Sequence, residues 1–152
     1  MSKVLQSSNK DAADKALCTL HNLRKATRAV SQVYDAALAP VELRSTQFSL
    51  LAALEQSADI PLSQLAEILV MDRTTLTRNL KPLKTRGLID IYNEHDKRVR
   101  IIKLTQEGKE LLNKASPLWE KSQLALVESL GNERWSSLVD DLSEILIQVR
   151  KA

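Results

Sequence analysis

Apolar residues recur every three or four positions along most of the chain, the spacing that places side chains on one face of an α-helix. Two further runs are rich in β-branched residues, which is typical of strands. Polar residues and turn formers separate these stretches. The pattern predicts six helices, at residues 11–38, from 45 to about 54, 61–69, 72–86, 105–130 and 133–150, and two strands, at residues 88–92 and 99–104.

Residues that favour helix ends support several of these boundaries. Asp72 and Thr105 stand directly before predicted helices, where a side-chain oxygen accepts from a free backbone N–H. Gly87 follows the fourth helix, at the position where positive φ is common. Ser45 and Thr46 are expected to cap the second helix, and the alternative is that they meet a phosphate at its N-terminus.

The fourth predicted helix has two different faces. Leu76, Leu80 and Leu83 form an apolar stripe that would face a core. The opposite face carries hydroxyl, guanidinium and ammonium groups and no acidic side chain. Side chains of this kind meet base edges and phosphates when a helix lies in the DNA major groove. They are Thr74, Arg78, Lys81 and Thr85, flanked by Thr75 and Thr77.

A short connection, Val70 and Met71, joins the third helix to this fourth one, which is typical of a helix-turn-helix. Pro82 lies within the fourth helix and predicts a bend or an irregular last turn there. Turn formers at residues 93–98 join the two strands into a hairpin with a basic tip, called the wing below. The predicted fold class is therefore mostly α, an α+β winged helix-turn-helix of six helices with a two-stranded β wing.

Positive charge is concentrated in this same region. Residues 72–103 hold nine Lys and Arg against four Asp and Glu, whereas the whole chain holds 22 against 19, for a net charge of +3. The remainder of the chain is therefore net negative. A local basic excess is typical of a phosphate-binding surface. A solvated helix face beside a solvated hairpin is the alternative, and the order of helix and then basic hairpin favours DNA.

The composition excludes several classes of protein. The chain is 43% hydrophobic but only 3% aromatic, so aliphatic side chains must fill the core. No apolar run is long enough to span a bilayer, and no signal-peptide pattern opens the chain, so no membrane partner is expected. The single cysteine permits no intramolecular disulfide, and a reducing, cytoplasmic setting is the expectation.

An ordered set of motifs resembles the MarR family of winged-helix transcription regulators. DRTTLTRNLKPLKTRGLI followed by DKRVRIIKLTQEG is similar to the core of that family. The family shows a recognition helix, a Gly-Leu-Ile strand, an Asp-x-Arg wing tip and a strand that runs into Leu-Thr-x-x-Gly. The resemblance covers roughly residues 15–150. It implies a DNA-binding transcriptional regulator, expected to be a ligand-responsive repressor.

The long helices outside the winged core predict a homodimer. They exceed what one small winged-helix core needs, and the last helix has an almost complete apolar stripe. The alternative is that they pack on their own subunit, but the resemblance implies a dimer on a pseudo-palindromic operator. The expected organisation is an N-terminal dimerisation helix in residues 1–40, a DNA-binding core in 41–104 and C-terminal dimerisation helices in 105–152.

Double-stranded DNA is the expected partner, with two groups of contact residues. The major groove is expected to receive Thr74, Thr75, Thr77, Arg78 and Lys81, and Arg73 at the helix start is expected to contact bases or a phosphate. At the wing tip, the resemblance implies that Asp96 orients Arg98 by an ion pair, while Arg98 reaches the minor groove or its phosphates. Lys97 is expected to add affinity for phosphate.

Two regulatory sites are expected near the first helix. The resemblance implies a pocket that accepts a small aromatic or anionic effector, with which His21, Arg24 and Arg28 would pair; the alternative is that these are solvated or structural cations. Some relatives sense peroxide through a cysteine early in this helix, where Cys18 stands. The tyrosines that hold such a thiolate are not matched here, and a lone helical cysteine is more often a small hydrophobe.

Two other classes of function remain as rivals. An enzyme is not expected, because the chain has two histidines, one cysteine, no metal-ligand cluster and no phosphate-cradling glycine loop. No cofactor and no metal are expected either. A winged-helix module that binds protein instead of DNA is the third interpretation, against which the basic, threonine-rich helix face argues.

Overall fold

Six helices and three short strands make up the protein in the computed structural model, which describes residues 14–93 and 99–151. The predicted mostly helical winged helix-turn-helix is confirmed. The helices are α1 (Thr19–Leu38), α2 (Ser45–Gln56), α3 (Leu62–Ile68), α4 (Arg73–Thr85), α5 (Gln106–Leu130) and α6 (Asn132–Lys151). The strands are β1 (Ile60–Pro61), β2 (Ile89–Asn93) and β3 (Arg100–Leu104).

The wing consists of β2 and β3, which pair antiparallel with Ile89 opposite Leu104 and Asn93 opposite Arg100. β1 adds a third strand on the other side of β3, which pattern reasoning did not predict because two residues are too few to show alternation. Pro61 has no backbone N–H to donate, so its place on an edge strand agrees with the sheet order β1-β3-β2.

Aliphatic side chains from α2 to α5, from the end of α1 and from the sheet form the core. Leu76, Leu80 and Leu83 of α4 are fully buried, as the stripe predicted. The ring of Phe48 stacks on that of Trp119 with 5.6 Å between centroids, which joins α2 to α5. Because one face of α4 is buried in this way, the opposite face lies in solvent beside the wing.

The predicted end of α4 at Gly87 is confirmed. The helix continues through Pro82 to Thr85. Gly87 has φ +70, and its N–H donates to the carbonyl of Lys84, while Leu88 N–H donates to that of Leu83. These two bonds form the Schellman arrangement that satisfies the last carbonyls of a helix. β2 therefore leaves α4 at a fixed angle.

The predicted start of the first helix is wrong within the described residues. Lys15–Leu17 form a 3₁₀ turn, and α1 begins at Thr19. The carboxylate of Asp14 accepts from Ala16 N–H at 2.8 Å, and the Asn22 amide donates to the Ala16 and Cys18 carbonyls. Short polar side chains here compete with the helical pairing of the backbone.

Asp35 caps α2, so the prediction that Ser45 and Thr46 provide the cap is wrong. Its carboxylate accepts from Ser45 N–H at 2.6 Å and pairs with Arg44 at 3.3 Å. The Gln47 side chain accepts from Arg44 N–H at 2.9 Å. The Ser45 amide, aided by Arg44, holds the pKa of Asp35 below its usual value of 3.8. The first turn of α2 is thus anchored on α1.

Replacing Asp35 with asparagine should lower the melting temperature at pH 7 and flatten its dependence on pH in acid. Between the usual and the lowered pKa, the unfolded chain binds a proton that the folded chain does not, so stability rises with pH there. This stability is fully present above about pH 4 and is lost as the pH falls through the lowered pKa. Thermal unfolding from pH 7 to 2.5 measures this, with Asp140→Asn on the exposed face of α6 as the control. Equal pH profiles for both variants would contradict the cap.

α5 and α6 carry the chain away from the winged core and back. The Thr105 hydroxyl accepts from Gly108 N–H at 3.0 Å, which confirms the predicted N-cap of α5. Gly131, at φ +82, separates α5 from α6. α6 packs against α5 but buries no side chain fully, and most of its apolar residues are exposed. In the part of the chain that the structure describes, no helix is long and apolar enough to cross a membrane.

Candidate nucleic-acid interface

The first turn of α4 is held by Asp72. Its carboxylate accepts from Thr75 N–H at 2.8 Å and from the Thr75 hydroxyl at 2.6 Å. These bonds, the hydroxyl first, lower the pKa of Asp72, so it is charged at neutral pH. Arg78 Nη2 lies 3.5 Å from the same Thr75 oxygen. Thr75 thus connects the cap to Arg78, and its hydroxyl proton is already donated.

An open groove of about 970 Å³ lies between α4 and the wing. We call it the basic groove. Five of the described side chains that line it are cations and none of them is acidic, which favours a polyanion. The lining comprises Arg73, Thr74, Thr77, Arg78, Lys81 and Lys84 of α4, Leu62 of α3, and Ile91, Tyr92, Asn93 and Arg100 of the wing.

Five of the six α4 residues expected to meet DNA line this groove: Arg73, Thr74, Thr77, Arg78 and Lys81. Thr75 is the sixth and lies beside it, half-buried in the cap. The Thr77 hydroxyl donates to the Arg73 carbonyl at 2.7 Å and keeps its lone pairs for a ligand donor. The wing residues Asp96, Lys97 and Arg98 lie outside the described residues.

Sequence reasoning did not name six of the groove residues as contacts: Leu62, Lys84, Ile91, Tyr92, Asn93 and Arg100. Lys84 lies about one turn after Lys81 and lines the groove. It was not predicted because it follows Pro82, where the sequence analysis expected a bend or an irregular turn. Arg100 and Tyr92 stand on neighbouring strands and line the groove. The charge count could not predict this position, because it does not show which way a strand residue faces. The Tyr92 hydroxyl donates to Asp59 at 2.5 Å, a contact between β2 and the loop before β1.

One cation counted in the basic region has another role. Arg86 Nη1 donates to the carbonyl of Glu42 at 2.7 Å. Glu42 has φ +54 and follows the 3₁₀ turn after α1, so Arg86 joins the end of α4 to that turn. The side chain therefore supports the position of α4 and does not line the basic groove.

The residues expected at the regulatory sites are not part of the basic groove. His21, Arg24, Arg28 and Cys18 are exposed on or just before α1. A separate, mostly apolar cavity of about 530 Å³ lies between α1 and α5, with Lys121 as its cation. None of the four expected residues lines it. The Tyr34 hydroxyl donates to Gln123 and joins the two helices near this cavity.

A short helix, a tight turn, a buried second helix with a basic outer face and an antiparallel wing together define a winged helix-turn-helix protein. Comparison with known proteins gives the family. The model of the MarR family matches residues 43–99. The HTH-type transcriptional regulator YhbI of Bacillus subtilis is 31% identical over 127 residues, which cover 80% of this chain and 82% of YhbI. This chain belongs to the MarR family of transcriptional regulators.

Solved structures agree with this assignment. The M. tuberculosis transcriptional regulator MosR, in complex with DNA, superimposes with a TM-score of 0.81 at 36% identity, covering 88% of this chain and 97% of MosR. The transcriptional repressor CouR, bound to a 23-mer DNA duplex, gives a TM-score of 0.77 at 28% identity, covering 84% and 92%. The family predicted from the motifs is confirmed.

Proposed function

We propose that the protein regulates transcription by binding double-stranded DNA in its basic groove, with α4 as the recognition helix. The observation that carries this is the groove itself, whose described lining combines five cations and two threonine hydroxyls from α4 and the wing with no acidic side chain. Lysine and arginine neutralise phosphates, and arginine on guanine is the commonest specific base contact. MosR and CouR, which share this fold, are bound to DNA in their structures.

Within the groove we assign different roles to the cations. Arg78 stands in the middle of the exposed face of α4 beside Thr75, and reads bases together with Thr74, Thr77 and Lys81. Arg73, at the helix start, meets a base or a phosphate. Lys84 and Arg100 also line the groove and hold phosphates. At the wing tip we retain the roles proposed for Asp96, Lys97 and Arg98.

We propose a homodimer, which the exposed apolar face of α6 supports. Seven large apolar side chains of this helix lie in solvent in the single chain, and all except Ile147 fall on one face at helical spacing, the kind of patch that marks an interface. They are Leu138, Val139, Leu142, Ile145, Leu146, Ile147 and Val149. Leu17, Leu20 and Val33 are also exposed near or on α1. A second copy packed on these helices would place two recognition helices on the two halves of a pseudo-palindrome.

Leu146→Glu should convert the dimer into monomers. The side chain is 48% exposed on α6, so the single subunit tolerates the change, whereas a carboxylate in the interface is buried without a partner. Analytical ultracentrifugation at micromolar concentration measures the state. Ser137→Glu adds the same charge away from the apolar face and should stay dimeric. If both variants remain dimeric, α6 does not form the dimer interface.

Regulation is proposed to act through an effector. The expected effector is a small aromatic or anionic molecule, and the cations expected to meet it are His21, Arg24 and Arg28. Thiol sensing through Cys18 remains the alternative, supported by the exposure of that side chain. We propose a DNA-binding role and not an enzymatic one, because the functional surface is an open basic groove along a helix. A role on DNA also agrees with the expected cytoplasmic location.

Selection of bound sequences from a random DNA pool, at near-physiological salt, tests the proposed function. Enrichment of a pseudo-palindrome with half-sites about one helical turn apart is the expected result. Binding that falls steeply with salt but enriches no sequence would overturn sequence-specific regulation. The absence of any DNA binding would favour the protein-interaction module.

A further inference from the structure

The C-terminal end of α6 reaches the helix-turn-helix of its own subunit. Arg150 Nη2 donates to the backbone carbonyl of Glu67 at 2.7 Å, a contact between residues 83 positions apart. Glu67 lies in the last turn of α3, where the chain turns towards α4. The helix with the exposed apolar face is therefore also in direct contact with the DNA-reading element.

Arg150 binds at a helix end that favours a cation. The last carbonyls of a helix lack partners within the helix, and its dipole places partial negative charge there. The Glu67 carbonyl accepts from Val70 N–H at 3.3 Å, and Val70 has φ +52. A left-handed conformation is unfavourable for a β-branched residue, so this turn needs support from its surroundings. The guanidinium of Arg150 supplies one such interaction.

The same turn fixes the direction of the recognition helix. Met71 N–H donates to the Ala66 carbonyl at 2.9 Å, and the next residue, Asp72, caps α4. Arg150 shares a cavity of about 620 Å³ with Val70, Met71, Asp72 and Arg73. A movement of Arg150 thus acts on the few residues that connect α3 to the first turn of α4.

We propose that Arg150 is a positioning residue for DNA recognition. It ties α6 to the turn between α3 and α4, and so sets the angle of α4 relative to the dimer axis. This inference rests on the proposed function, in which α6 forms the dimer and α4 enters the major groove. Because the separation of two recognition helices depends on this angle in both subunits, Arg150 determines which half-site spacing the dimer accepts. Its guanidinium binds a carbonyl and is not needed for phosphate.

The test compares Arg150→Ala with two matched variants. Arg150→Lys keeps the charge and one donor, and Lys151→Ala removes a neighbouring charge on the same helix. Arg150→Ala should remain a dimer and select more than one half-site spacing. It should bind the selected operator about tenfold more weakly, because a turn that has lost a hydrogen bond from a charged group must be ordered when DNA binds. Its salt dependence should equal that of the wild type. Arg150→Lys should recover part of the affinity, and Lys151→Ala should match the wild type.

Two outcomes would overturn the positioning role. One is that Arg150→Ala keeps the affinity and the single spacing of the wild type. The other is a loss of affinity with a reduced salt slope and unchanged spacing, since this describes a phosphate contact. Failure of the wild type to select any sequence would instead overturn the proposed function.

Amide hydrogen exchange of the free protein tests the contact between Arg150 and the turn after α3 without DNA. Residues 69–73 should exchange faster in Arg150→Ala than in the wild type or in Lys151→Ala, because local opening of the turn costs less. Equal exchange in all three proteins would overturn the tie, whatever the DNA experiments show.

Discussion

Gly108→Ala is expected to destabilise the winged core severely. A Cβ at this position would lie 2.1 Å from the carbonyl oxygen of Leu88 and 2.7 Å from Cδ1 of Leu104. The Leu88 carbonyl cannot move away easily, because it accepts from Thr105 N–H at 3.2 Å. Overpacking a core usually costs about 1–3 kcal/mol, and a clash with backbone should exceed roughly 3 kcal/mol.

Chemical and thermal unfolding measure this effect, and Gly87→Ala is the matched control. Gly87 has φ +70, but an added Cβ there would meet no other atom within 4 Å, so alanine at this position brings conformational strain without a clash. We expect that strain to cost about 1–2 kcal/mol, clearly less than the loss at Gly108. Equal losses at the two positions would contradict the close approach of α5 to the start of β2.

The same contact explains why the Leu-Thr-x-x-Gly motif ends in glycine, which the sequence alone does not explain. Leu104, Thr105 and Gly108 belong to the pattern on which the family resemblance rests. Thr105 caps α5, and its hydroxyl also donates to the Gly87 carbonyl at 2.7 Å. Gly108 then lets α5 pass against Leu88. The cap was predictable from residue type alone, whereas the need for glycine depends on a residue twenty positions earlier in the chain.

Local patterns carried the prediction of α4 and the wing. The leucine stripe, the Asp72 cap and the glycine at the helix end all act within a few residues of one another, so sequence spacing is enough to identify them. The face of α4 opposite the leucines was predictable for the same reason, and five of its six expected contact residues line the basic groove.

Contacts between distant parts of the chain were not predictable in this way. Asp35 caps α2 from ten positions away, and Arg86 binds the Glu42 carbonyl from 44 positions away. Both side chains look like ordinary exposed charges in the sequence. Arg100 enters the basic groove only because β3 pairs with β2 and so brings it beside α4. The roles of Asp35, Arg86 and Arg100 can be assigned only when the three-dimensional fold is known.

Arg78→Ala is expected to cause the largest change in DNA recognition. The side chain is exposed in the middle of the basic groove, and its Nη2 lies 3.5 Å from the Thr75 hydroxyl oxygen. Loss of an arginine that reads a base costs about 1–3 kcal/mol, roughly 5- to 150-fold in affinity, and relaxes the preference at one position of each half-site. Competition binding on the selected operator and its single-base variants measures both effects.

Arg86→Ala is the control for the loss of one positive charge near α4. It removes one cation from the end of α4, but the structure places that guanidinium on the Glu42 carbonyl, away from the groove. Arg86→Ala should therefore leave the order of preferred bases unchanged, even where it lowers stability. If Arg78→Ala instead weakens binding to all sequences equally and lowers the salt slope by about one, Arg78 holds a phosphate. Base reading would then belong to Lys81, the threonines and Arg73, because these are the other α4 side chains in the groove that can reach bases.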